Sequence, residues 1–174
     1  MIRADTAGIG NLARDLARVV SDVPKVFAQA ASSVARASGT EAKREITAIY
    51  GIKQSRVGEG LTSVAKGYEA ITTARGRNVP TLASFGGRQT TKGYSAAVRK
   101  GSRKVIRGGF TPAKFKGVPF KREGAARLPI KPLYGPSVAS MLRNREVSER
   151  FVLRQSIRAR EELTRRLFRE LKAR

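Results

Sequence analysis

Residues 82–110, LASFGGRQTTKGYSAAVRKGSRKVIRGGF, decide the fold class. Tyr94, Ala96 and Val98 recur every second residue, the period of a strand with one buried face. Two strand-like runs, Tyr94–Arg99 and Lys104–Thr111, are set off by glycine-bearing turns. The pair Gly108–Gly109 inside the second run marks a bulge or a place where another backbone comes close. The same texture extends outward from Leu61 to about Leu133. Ser63–Ala74, with Val64, Tyr68, Ala70 and Thr72 in partial alternation, and Val118–Arg122 are further strand candidates. Pro129, Pro132 and Pro136 then interrupt any regular ladder, so 128–136 is expected as an extended segment.

On both sides of this β-rich region, 61–133, the period changes to three or four residues. Over 11–50, Leu12, Leu16, Val19 and Val20 form a short stripe; Val23, Phe27, Ala30, Val34, Ala42, Ile46 and Ile49 continue a second. Asp22-Val23-Pro24 reads as an N-cap with proline in the first turn, predicting that a second helix begins there. Gly39-Thr40 is a candidate kink and Gly51 a C-terminal stop. Ser55 is a candidate cap for one more turn through Val57. Helix returns at Ser137 with a short stretch near Met141, and a strong helix is predicted over 146–174. Leu153, Ile157, Leu163, Leu167, Phe168 and Leu171 lie on its broad apolar face. Glu–Arg pairs four apart (146/150, 161/165, 162/166 and 170/174) are placed on the other side, each contributing about 0.2–0.5 kcal/mol. The expected fold is therefore a single α+β domain over 1–174: N-terminal helices, a central, mostly antiparallel sheet and a long C-terminal helix.

Charge is the unusual property. Thirty-six Lys and Arg face 13 Asp and Glu, a formal net charge of +23 with no histidine to modify it. Self-repulsion at that density destabilises a compact chain unless an acidic partner or polyanion lies near. Chemistry is correspondingly restricted. The chain has no cysteine and no histidine, so thiolate nucleophiles, disulfides, the usual zinc ligands and the commonest general base are missing. Asp5, Asp15 and Asp22 all lie near the start, and Glu123 is the sole carboxylate between Asn78 and Asn144. A two-carboxylate or carboxylate–metal site would have to be assembled from remote helices. An enzyme is not expected, nor a cofactor. No apolar run approaches the ~20 residues of a membrane span, and Asp5 and Gly8 stand where a signal peptide would be apolar. A soluble, non-secreted chain without membrane contact is the expectation.

Between residues 88 and 127 twelve basic residues meet Glu123 alone. Arg99, Lys100, Arg103, Lys104 and Arg107 cluster near a turn between two predicted strands and are the candidate DNA-facing group. Phosphate contact of that kind is sequence-independent and salt-sensitive. An acidic protein neighbour, or a merely solvated face, accounts for the same charges. Tyr94, Phe110, Phe115 and Phe120 interleave with them, either as base-stacking residues or, as aromatics in strands more often are, as core. Gly58-Glu59-Gly60 and Gly86–Gly87 make no nucleotide fingerprint, and neither a phosphate-binding loop nor an RNA-recognition signature is present.

Three stretches carry a resemblance. EAKREITAIYGIKQSRV (41–57) is similar to a helix ending in an aromatic, an Ile-Lys linker and a small second helix. LASFGGRQTTKGYSAAVRKGSRKVIRGGF (82–110) and RLPIKPLYGPSVASML (127–142) follow, in the same order as in the phage minor tail protein Z family. Together they cover about 60 of 174 residues, and the last is the most specific. The resemblance implies a structural virion protein that completes or joins the tail of a long-tailed bacteriophage, at the head-proximal end or neck. It would be assembled in the bacterial host cytoplasm, and its implied partners are copies of itself in a hexameric ring, other tail or neck proteins, and genomic DNA in nonspecific contact. The family offers no catalytic residues to transfer. Two sets of residues are candidate subunit interfaces: Leu128, Pro129, Ile130, Leu133, Tyr134 and Pro136, as an extended arm pre-organised to lie on a neighbour, and Leu163, Leu167 and Leu171 on the terminal helix. A free basic DNA-binding protein without sequence preference is the alternative from a different class.

Overall fold

A computed structural model describes residues 7–77, 79–115 and 117–172, with side chains from residue 21 onward. Helix α1 (Ala7–Ile49) is followed by the short α2 (Gln54–Gly58), eight strands, and helices α3 (Val138–Arg143) and α4 (Arg145–Lys172). The α+β expectation holds, with one change: the strands form three small antiparallel sheets rather than a single central one. β1 (Leu61–Lys66) pairs only with β2 (Glu69–Ala74), so the stretch read as one segment, Ser63–Ala74, is a hairpin turning at Gly67-Tyr68. β3 (Arg88–Thr90), β4 (Gly93–Arg99) and β5 (Ser102–Ile106) form the second sheet; β6 (Gly109–Phe110), β7 (Phe120–Arg122) and β8 (Ile130–Pro132) form the third.

No helix begins at Asp22. α1 runs through it, with Pro24 inside, and the Asp22 carboxylate pairs with Lys25 Nζ at 3.1 Å instead of standing at a helix start. Gly39 lies inside the helix as expected; an added Cβ there would lie 3.2 Å from Ser63 Oγ, so its bareness lets β1 come close. Ser38 Oγ and Thr72 Oγ1 share a hydrogen bond at 2.7 Å across the same contact. Ser55 lies within α2, whose N-cap position is Lys53. Gly51 follows the end of α1 for a different reason from a left-handed cap: a Cβ there would sit 2.4 Å from the Ala97 carbonyl oxygen. That approach lets Gly51 N–H donate to Val98 O at 3.0 Å and Lys100 N–H to Ile49 O at 2.8 Å, stitching β4 to the open carbonyl end of α1. Of the two readings of Gly108–Gly109, close approach holds at Gly109, where a Cβ would lie 2.8 Å from Tyr94 Cβ.

The core forms where these elements converge. Ile46, Tyr50, Ile52, Val57, Leu82, Phe85, Tyr94, Ala96, Val138, Met141 and Val147 are buried together. Ser137 starts α3 by accepting from Ser140 N–H at 3.1 Å, and Asn144 Oδ1 accepts from Glu146 N–H at the start of α4. α4 then runs back antiparallel along α1, as Arg154–Glu45, Arg158–Glu41 and Arg166–Gln29 contacts show.

Candidate nucleic-acid interface

The five candidate DNA-facing residues all lie on or beside the β4–β5 hairpin, but they do not share a face. Arg99 and Lys100 are exposed at its turn, beside the C-terminal end of α1, whose partial negative charge favours them there. Arg103 turns toward the chain: its guanidinium forks onto Gly86 O at 3.1 and 3.2 Å and reaches Ser95 Oγ at 3.3 Å. Lys104 stands opposite Ala96, and so on the other face of the strand. Arg107 follows the far end of β5, about 17 Å along the strand from Ser102 at ~3.3 Å per residue. The hairpin is thus a rod with charge at both ends and one arginine committed to holding it together.

A second basic concavity forms where the β3–β4 turn meets the β6–β7 ribbon. Gln89 Nε2 donates to Gly93 O at 3.3 Å and to Gly109 O at 3.2 Å, joining the two sheets. The resulting cleft, about 510 Å³, is lined by Lys92, Phe110, Lys121 and Arg122 among bare glycine backbone. Arg122 lies over the Phe110 ring, 5.5 Å from its centroid. Of the interleaved aromatics, Tyr94 and Phe120 are core as aromatics in strands usually are, while Phe110 is half-buried and Phe115 exposed. Burial also pushes the Tyr94 phenol above its usual range.

The proposed arm is bound along its own chain. Ile130 and Pro132 belong to β8; Leu133 N–H donates to Pro119 O, Leu82 N–H to Leu133 O, and Gly135 N–H to Pro80 O, at 2.8–3.0 Å. Leu133 packs on the core, Ile130 and Pro136 are half-buried, and Leu128 and Tyr134 are exposed together with Pro129. The segment is thus tied to its own chain through β7 and residues 80–82, with β8 at the edge of its sheet and Leu128, Pro129 and Tyr134 left on the surface.

On the terminal helix the expected apolar face is only partly covered within the chain. Leu163 and Leu167 are half-buried, but Leu153, Ile157, Phe168 and Leu171 are exposed, Leu153 by 62% and Leu171 by 56%. The face turned to α1 is substantially polar. Glu162 is buried on it, as are Glu41 and Glu45 on the facing side of α1. Arg154 holds Glu45 at 2.5 Å, Arg158 approaches Glu41 at 3.7 Å, and Arg166 binds Glu162 at 2.8 Å and Gln29 at 2.8 Å. Arg165 pairs with Glu162 rather than with the expected Glu161. Glu146–Arg150 forms as expected at 2.9 Å, and Glu170–Arg174 lies outside the described residues. Burial raises the Glu162 carboxyl, but hydrogen bonds from Arg166 and Ser33 and the charges of Arg165 and Arg166 together outweigh it and hold the group below the usual range. Glu162 is thus a fixed anion inside a helix seam. Its pairing with Arg166 was legible as an i,i+4 pair; its burial was not, since the surface that covers it, with Ser33, comes from α1 at the opposite end of the chain.

Among the described residues no helix is long and apolar enough to cross a membrane, and no group of His, Cys, Asp and Glu is arranged to hold a metal ion. Comparison with family models, curated proteins and solved structures finds no match to this chain.

Proposed function

We propose that the chain is a structural subunit that completes or joins the tail of a long-tailed bacteriophage, as a ring of identical copies around the DNA conduit at the head-proximal end or neck. One observation carries most weight. The three stretches that resemble the minor tail protein Z family, 41–57, 82–110 and 127–142, meet in space and contribute every buried residue of the central core except Val147. A resemblance concentrated in residues that pack on one another is what a shared fold requires, because substitutions there are restricted by volume. The surfaces left over suit a subunit with neighbours: a row of exposed apolar residues along α4 and exposed, uncompensated cations on the small sheets. A rotationally repeated heterologous contact closes such subunits into a ring.

The test is mass spectrometry of purified particles together with infectivity of a deletion mutant. The protein is expected as a stoichiometric virion component whose loss abolishes infectivity. Its absence from particles, or recovery only on intracellular DNA, would favour the free DNA-binding alternative and end the tail assignment.

A further inference from the structure

We infer that the cleft between the β3–β4 turn and the β6–β7 ribbon is a contact site for the phosphodiester backbone of duplex DNA, with Lys92, Lys121 and Arg122 as the phosphate-binding groups. This deepens the tail reading by naming where the genome is touched, and rests on that reading only for the presence of DNA nearby.

Charge is the first argument. Among the described residues no carboxylate lines the cleft, and none of its three cations forms an ion pair within the chain. The nearest acid in sequence, Glu123, is engaged by Lys131. Three uncompensated cations around one concavity raise the local anion concentration, and the cost of their mutual repulsion falls when phosphates enter.

Geometry is the second. The Phe110 ring carries the Arg122 guanidinium on its face, a contact that orients the planar fork while leaving its N–H edge available for bidentate phosphate binding. Gly108 needs its left-handed φ of +72°, but Gly124 has no such need, and a Cβ added there would meet nothing within 4 Å. Nothing within the chain crowds position 124, so its bare backbone leaves that side of the cleft open, and a large side chain placed there would stand at its mouth.

The same features choose between nucleic-acid forms. Phe110 is covered by Arg122, so the cleft lacks a bare aromatic platform on which single-stranded bases could stack. The Gln89 amide, the side chain best suited to reading a base edge, is spent on backbone carbonyls. What remains is charge at points along an open surface, which recognises phosphates and not sequence.

The experiment is fluorescence anisotropy of the full chain with a short labelled duplex of arbitrary sequence, titrated across salt concentration. Lys92→Gln/Lys121→Gln/Arg122→Gln should make the log–log salt slope shallower by about 2.7, three contacts at about 0.9 each. Gly124→Glu should weaken binding with the thermal midpoint unchanged, which keeps the test valid if the triple variant folds poorly. Arg99→Gln/Lys100→Gln/Lys104→Gln is the comparison and should leave the slope as it is. Flattening by the comparison triple alone, or equal flattening by both, would overturn the cleft assignment while retaining DNA contact. Tripolyphosphate binding the wild type as tightly as the duplex would make it a small-anion site and overturn it too. A wild type that does not bind duplex at low salt would also sink it, and particle composition would still decide the tail reading separately.

Discussion

Replacing Gly135 by alanine puts a methyl group where the Phe85 ring already is. An added Cβ would lie 2.2 Å from Phe85 Cε2 and 2.8 Å from Cζ, and Phe85 is completely buried, so the ring has no solvent to swing into. Two relaxations are open. The core can absorb the methyl by strained rotamers and small backbone shifts, at about 1–3 kcal/mol. Alternatively the segment lifts away, breaking the hydrogen bonds from Leu133 N–H to Pro119 O, Leu82 N–H to Leu133 O and Gly135 N–H to Pro80 O. At about 0.5–1.5 kcal/mol net each, that costs about 1.5–4.5 kcal/mol. The cheaper route sets the expectation: a loss of about 1–3 kcal/mol, or roughly 2–12 °C in thermal midpoint for a domain of this size. Urea unfolding followed by circular dichroism should show a lower midpoint with an unchanged slope. Phe85→Leu removes the two ring atoms concerned, so the double variant should be less destabilised than the sum of the singles, by a coupling of about 0.5–3 kcal/mol. Strict additivity, or no effect of Gly135→Ala at all, would mean that the segment around Gly135 does not lie on Phe85.

Val147→Asp buries an unpaired carboxylate in the core and should cost several kcal/mol or prevent folding; Leu153→Asp, on the outer side of the same helix, should leave monomer stability within about 0.5 kcal/mol by the same urea assay while impairing incorporation into particles. Because Glu162 has its folded-state carboxyl below the unfolded value, its stabilising contribution is complete above the ordinary glutamate range, near about 4.3, and is lost as pH falls through the folded-state value. Glu162→Gln should therefore flatten the acid limb of a plot of unfolding midpoint against pH; an unaltered limb would show that the carboxylate is not held ionised by its arginines. Arg103→Gln removes both the charge and the fork onto Gly86 O, so it should lower stability by about 1 kcal/mol and leave the salt slope of DNA binding unchanged; a flattened slope with full stability would return Arg103 to the candidate DNA contacts.

Where a residue's role depended on its neighbours in sequence, it could be read directly. The alternation of Tyr94, Ala96 and Val98 located β4 and its inner face, and paired glycines located the close approach at Gly109. Reading failed where a distant partner decided the matter. Asp22-Val23-Pro24 has the local form of a helix start, yet the chain continues helical on both sides. Proline in the 128–136 run argued against any regular ladder, but Pro132 ends an edge strand paired with β7 and its neighbours donate to carbonyls of residues far off in sequence; proline on a sheet edge forfeits no bond the sheet needs. On α4, apolar type marked a side to be covered by the chain's own sheet or by a neighbouring subunit, and within the chain the side that docks on α1 is largely the polar one. Arginines reaching glutamates on α1 make a polar side dockable, and period alone cannot distinguish it from a solvated one. The basic cluster failed for a related reason: five cations within nine residues look concentrated on paper, but strand alternation and the length of β5 distribute them to opposite faces and ends.

The helix seam has a further consequence for how the two long helices find one register. A greasy seam built of similar side chains tolerates sliding by a turn with little change in energy. This one works as a one-way stop. Moving α4 along α1 by one turn in one sense brings Arg158 level with Glu45 but sets Glu162 against Glu41, two carboxylates. Moving it in the other sense brings Arg150 level with Glu45 and Arg154 level with Glu41, so both buried glutamates meet an arginine again and only the half-exposed Arg158, opposite Ala37, loses its acid. Ion pairs that add little to stability, given how much of Arg154 and Arg158 faces water, can still disfavour the first slide, because it juxtaposes like charges at a buried surface. The seam thereby limits the travel of α4 along α1 in one direction, and leaves the opposite direction to Val147, which is anchored in the core.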